Sequence, residues 1–152
     1  MKSQPHNVEQ PGESALAIVD EFFCTLSVKE ATRMTHTMIR AAFAQKDLLD
    51  KEGVLDLLFL KDELVKLVPA AEALAKQKAA GKALKKIFKK KTAGDWTEWL
   101  EELFHAAAYD GYFTNAPTNN DVYNSCRKLL KIIKECHSIH KMQEAAAETV
   151  AA

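Results

Sequence analysis

Apolar residues recur along this chain every three or four positions, and no stretch alternates with period two for more than a few residues. That periodicity predicts helices and no sheet. Leu16, Val19, Phe22, Phe23 and Leu26 form the first stripe, with Ser14 placed to N-cap it. Ser27-Val-Lys-Glu30 has capping-box spacing and starts a second helix to about Gln45. Its inner face carries Ala31, Met34, Met38, Ala41 and Ala42. The small alanines admit a close neighbour, and the methionines read as core filling.

The stretch Val54–Val68 organises the rest. Between Val54 and Leu60 only Asp56 is polar. A helix apolar on every side belongs inside a bundle. Further on the stripe narrows to Leu64, Leu67 and Val68, so that end is expected to reach the surface. Asp47 or Asp50 is placed to cap this helix. Pro69 is expected to end it, since the residue before a proline avoids the α region, and to open the next helix at its first position.

That fourth helix is expected over about 70–91, Ala-rich and then Lys-rich, with Thr92-Ala-Gly94 as a break. Asp95, as cap, and Glu98 have the spacing of another capping box. Trp96, Trp99, Leu100, Leu103, Phe104 and Ala107 follow on one face, and Gly111 suits the stop. After a loop over 112–120, Thr118 or Asn119 caps a last helix. Val122, Cys126, Leu129, Ile133, Cys136 and His140 alternate by four and three, a coiled-coil-like seam that Leu130, Ile132 and Ile139 widen. The expected fold is all-α: a single compact antiparallel bundle of about six helices around a buried central one. The polar segment 1–13 reads as a flexible arm, 14–143 as the helical domain and 144–152 as a fraying tail.

Length supports this picture: 152 residues suit one domain, and folding at that size buries about 70% of the chain's surface. No apolar run nears the roughly 20 residues that span a bilayer, and the first residues lack a secretory apolar segment. Three cysteines, Cys24, Cys126 and Cys136, all lie in apolar-patterned segments. An odd number so placed suits buried thiols in a reducing compartment. An intracellular, cytoplasmic protein is expected.

Charge changes the picture most. The chain is neutral, 21 basic against 21 acidic residues. Eight lysines and no acid fall between Lys76 and Lys91, which leaves 13 basic against 21 acidic residues elsewhere. On a continuous helix Lys78, Lys82, Lys85, Lys86 and Lys89 share one face. Such a face suits phosphates of nucleic acid, an anionic membrane surface, or an acidic protein surface, including that of a second copy. The stretch has no arginine for bidentate contacts and no interleaved aromatics for base stacking. An ordinary solvated face is the plain alternative.

Two further groups of residues bear on chemistry. Cys136, His140 and Glu144 share a helix face at four-residue spacing, which suits metal ligands. No Cys-x-x-Cys pair or second ligand-rich segment accompanies them, so Cys136 and His140 are weak metal candidates and no cofactor is implied. Tyr109, Tyr112 and Phe113 precede a Pro-Asn loop and suit an exposed aromatic end that anchors a partner. No nucleophile has an evident base beside it, so no catalytic residues are assigned and a non-enzymatic protein is expected. The expected function is a helical interaction, adaptor or assembly protein. It binds a protein partner, or itself, through the lysine face or the aromatic end. Binding of nucleic acid or anionic membrane through 76–91 is the alternative, and a small metal protein or enzyme built on Cys136 and His140 comes third.

Overall fold

The computed structural model describes residues 11–43, 49–77, 81–109 and 119–151. They form six helices: α1 (Pro11–Thr25), α2 (Val28–Phe43), α3 (Lys51–Ala75), α4 (Lys82–Lys90), α5 (Ala93–Ala108) and α6 (Asn119–Ala151). No strand occurs among the described residues. The helices pack against one another in a compact bundle, and α3 touches every other helix. Neighbours run antiparallel. Lys61 meets Glu101 and Glu72 meets Ala93, which fixes α3 against α5. Asp20 meets His140 and Phe23 meets His137, which fixes α1 against α6.

Local signals set most boundaries. Pro11 opens α1, three residues before the Ser14 cap expected from spacing; a proline's missing N–H costs nothing at the first helical position. The Ser27 hydroxyl accepts from the Glu30 N–H at 3.1 Å. The reciprocal half of that box is not made, because the Glu30 carboxylate turns outward to Arg33 at 2.9 Å. Asp50 caps α3, its Oδ1 accepting from the Gly53 N–H at 2.7 Å. Asp47, Gly111 and Thr118 lie outside the described residues. At the far end α6 continues to Ala151, past Glu144, with residues 144–149 exposed.

Three expectations are corrected. First, Pro69 does not end the central helix: α3 runs through it to Ala75. Pro69 sits on the exposed side, so the carbonyl that loses its partner can face water. The turn beyond is held by Ala70, Ala71, Leu74 and Ala75, all buried.

Second, the half of α3 that reads as apolar all round is not buried on every side. One buried stripe runs along the helix through Leu57, Leu60, Leu64, Leu67, Val68 and Ala71. Leu55 is 63% exposed and Phe59 43%. Further on, Leu64, Leu67 and Val68 form the expected inner stripe, with Asp62, Lys66 and Pro69 exposed.

Third, α5 begins one turn early. Thr92, not Asp95, is the cap: its hydroxyl accepts from the Asp95 N–H at 3.2 Å, and the Asp95 carboxylate accepts from the Thr92 N–H at 3.1 Å. The expected break at 92–94 is the helix start, with Gly94 in its first turn.

The seam of α6 is as expected. Val122, Cys126, Leu129, Ile133, Cys136 and His140 are all buried, and Ile132 joins them. Met34 and Met38 lie in the core.

The one-sided burial of α3 has a direct test in urea unfolding. Leu64→Ala should cost about 2–5 kcal/mol, the usual range for a core leucine. Leu55→Ala, in the stretch whose composition is more apolar, should change stability by no more than about 0.5 kcal/mol.

Candidate functional site

The lysine-rich stretch is not one long helix. α3 ends at Ala75 with Lys76 as its C-cap, and α4 is a separate helix of nine residues, Lys82–Lys90. Gly81 is its N-cap, in extended conformation and without a side-chain cap. A Cβ at Gly81 would stand 3.3 Å from the Glu135 carboxylate, so the absence of a side chain lets α4 start against α6. That carboxylate also complements the N-terminal end of the α4 dipole, as Lys89 and Lys90 complement its C-terminal end.

Only Leu84 and Ile87 of α4 are fully inserted in the core, with Ala83 and Phe88 half-buried. This small apolar footprint straps α4 between α3 and α6 and turns its lysines outward. Lys82, Lys85, Lys86, Lys89 and Lys90 are all exposed; Lys78 lies outside the described residues. The expected single face divides in two. Lys85 and Lys89 look toward the end of α3, where Lys76 and Glu72 line a shallow recess with Phe88. Lys86 and Lys90 look toward α6.

On that second side they meet Lys128 and Lys131. The four lysines rim a groove of about 160 Å³ whose floor is Ala83 and Ile87. None of the four is in an ion pair among the described residues. Lys91, the last of the run, is drawn inward. Its ammonium lies 4.5 Å from the centre of the Trp96 ring and 5.2 Å from that of Trp99. Burial lowers its pKa, with Asp95 opposing and Lys128 adding to the fall.

Lys128 and Lys131 are the groove residues that the sequence reading misses. The signal is present: Arg127, Lys128, Lys131 and Lys134 recur at helical spacing on α6 with no acid among residues 127–134. It becomes visible only when α4 and α6 are known to lie side by side.

The remaining candidates separate. Tyr109 is the C-cap of α5, 63% exposed, with its ring edge-on to His105 and Phe104; Tyr112 and Phe113 lie outside the described residues. Cys136 belongs to the hydrophobic core, and burial pushes its thiol up to about 12. The His140 ring has both nitrogens occupied, Nδ1 at 2.8 Å from Asp20 and Nε2 at 3.0 Å from Glu144. It stacks on Phe23, and the Gln143 amide donates to both Asp20 carboxylate oxygens. His140 thus closes α6 onto α1, while Cys136 packs in the interior. Among the described residues no group of three or more His, Cys, Asp or Glu side chains is placed to hold a metal ion. Glu101, itself exposed, pairs with the buried Lys61 at 3.1 Å, and Asp62 shares that ammonium at 3.0 Å. Burial pulls the Lys61 pKa down, but the two carboxylates outweigh it and hold it above the usual lysine value. No helix of the described residues is long and apolar enough to cross a membrane.

No protein-family model, curated protein or solved structure matches this chain.

The thiols give a test of this placement. Cys24 is exposed, while burial pushes Cys126 up to about 11 and Cys136 up to about 12. A thiol reagent at mildly alkaline pH should titrate Cys24 alone in the native protein, and all three cysteines in denaturant. The shifts also set a pH dependence. Unfolded thiols lose their protons near 9.0, whereas the two buried ones keep theirs. The native state then binds more protons, so stability falls as pH rises above about 9. Urea midpoints should drop more steeply there for the native sequence than for a Cys126→Ala, Cys136→Ala variant.

Proposed function

We propose that this protein is a non-enzymatic interaction module that docks an acidic protein surface on the α4–α6 face. The reading rests on one observation: Lys86, Lys90, Lys128 and Lys131, from two helices far apart in sequence, surround one apolar floor without carboxylate partners among the described residues. Four like charges gathered this way repel one another, so the bundle's own stability does not call for them. Nor does solubility call for an apolar floor between them. A partner that carries acids on either side of an apolar ridge would satisfy both parts of the groove.

The groove lining favours protein over nucleic acid. It contains no arginine to grip a phosphate in two places and no aromatic ring on which a base could stack. Rim charges of this kind act mainly on association rate and register, while the apolar floor contributes the desolvated contact.

A fluorescein-labelled acidic amphipathic peptide is the probe, read by anisotropy against its charge-neutral counterpart. Binding should be selective for the acidic peptide and weaken with added salt. Changing Lys86, Lys90, Lys128 and Lys131 to Gln should weaken it at least about tenfold, equivalent to about 1.4 kcal/mol. Equal affinity of the quadruple variant, or preference for single-stranded RNA or phosphatidylserine vesicles over the peptide, would remove this reading.

A further inference from the structure

The exposed face of α3 is the converse of the groove. Leu55 and Phe59, four residues apart on one helix face, are the two exposed large hydrophobics of that helix. Glu52, Asp56 and Asp62 are exposed beside them. Lys61 lies inward and reaches Asp62, Glu101 and the Phe104 ring, and Lys66, at the C-terminal end of the same face, is paired with Glu63. The middle of the face is therefore an apolar ridge bordered by carboxylates. The α4–α6 groove is an apolar floor bordered by ammonium groups. Among the described residues nothing internal to the bundle accounts for either feature: Leu55 and Phe59 contribute little to the core, and the groove lysines are in no ion pair.

We infer that the groove of one copy receives the α3 ridge of a second copy, Leu55 and Phe59 settling over Ala83 and Ile87 while Asp56 and Asp62 meet the lysine rim. This identifies the acidic partner of the preceding section as the chain itself, and so rests on that reading of the groove. The chain's neutrality is consistent with it, since a basic stretch is balanced by an acidic remainder on the same molecule. The two surfaces differ, so the contact is head-to-tail. Each copy keeps a free groove at one end and a free ridge at the other, and assembly continues unless it closes into a ring.

Two variants, each defective on one surface, test this by light scattering at low ionic strength. In the ridge variant, Leu55→Lys with Phe59→Lys, the groove is intact. In the groove variant, Lys128→Glu with Lys131→Glu, the ridge is intact. Urea unfolding checks that both fold. If the ridge variant does not, Asp56→Lys, which alters only an exposed side chain, replaces it.

The native protein should grow past two copies as concentration rises, and salt should reverse the growth. Each variant alone should stay monomeric. Their equimolar mixture should form a pair and stop there, because the one intact ridge fills the one intact groove. A native protein that stays monomeric at all concentrations overturns the inference, as does a variant that still associates alone. The labelled acidic peptide separates the two failures. If the native protein is monomeric but binds the peptide, the groove reading stands and the second copy is excluded; if it does neither, both fall.

Discussion

Every other helix of this bundle touches α3, and one column of side chains runs along its inner face. Leu57, Leu60, Leu64, Leu67, Ala71 and Leu74 follow one another at three- and four-residue steps, with Val68 beside Leu67, and all are almost completely buried. This column explains why Pro69 does not break the helix. A proline in a helix interior costs about 3 kcal/mol. Full burial of one valine or leucine side chain is worth about 1.5–3 kcal/mol. Val68 and Leu74 alone match the penalty, and Ala70, Ala71 and Ala75 add to the packing. The alanines also let α1 and α5 approach closely, as their many contacts with α3 require.

The polar atoms taken into this interior are compatible with it because each has a local solution. The Thr35 hydroxyl donates to the Ala31 carbonyl at 2.7 Å within its own helix. Lys61 runs its chain through the buried layer and delivers its ammonium to Asp62 and Glu101 at the edge. Trp96 is the exception, since its buried Nε1–H has no acceptor among the described residues. Such a group costs about 1–3 kcal/mol. The ring makes up the difference by its size, by an edge-on contact with Trp99 and by the Lys91 ammonium over its face. α4 and α5 are thereby tied at the turn between them, which helps hold a nine-residue helix too short to persist alone.

What was legible in the sequence is what one helix decides for itself. The six helical stripes, the Ser27 and Asp50 caps and the α6 seam all depend on spacing within a segment. What was not legible depends on a neighbour. The apolar content of Val54–Leu60 shows how much that segment can bury, but not that Leu55 and Phe59 stay on its outer face. The cap of α5 could be Thr92 or Asp95 by residue type, and Ala93 decides for Thr92. It is buried, and its N–H is held by the Glu72 carboxylate of α3 at 2.7 Å. The candidate site follows the same rule. The lysines of α4 stand out as a run, but the groove needs Lys128 and Lys131 as well, and only the antiparallel contact of α4 with α6 brings them in.

The size of the ridge and groove limits what they can do. Stable protein interfaces bury about 1,600 Å² in total. Two apolar side chains against a floor of Ala83 and Ile87, with a few rim charges, cover much less. Rim ion pairs add about 0.2–1 kcal/mol each and are screened by salt. A contact built from these parts is weak, reversible and sensitive to ionic strength. In a head-to-tail arrangement weakness is an advantage: a strong contact that does not close would drive the chain into fibres. A weak one keeps short assemblies in exchange with monomers, with their length set by concentration and salt.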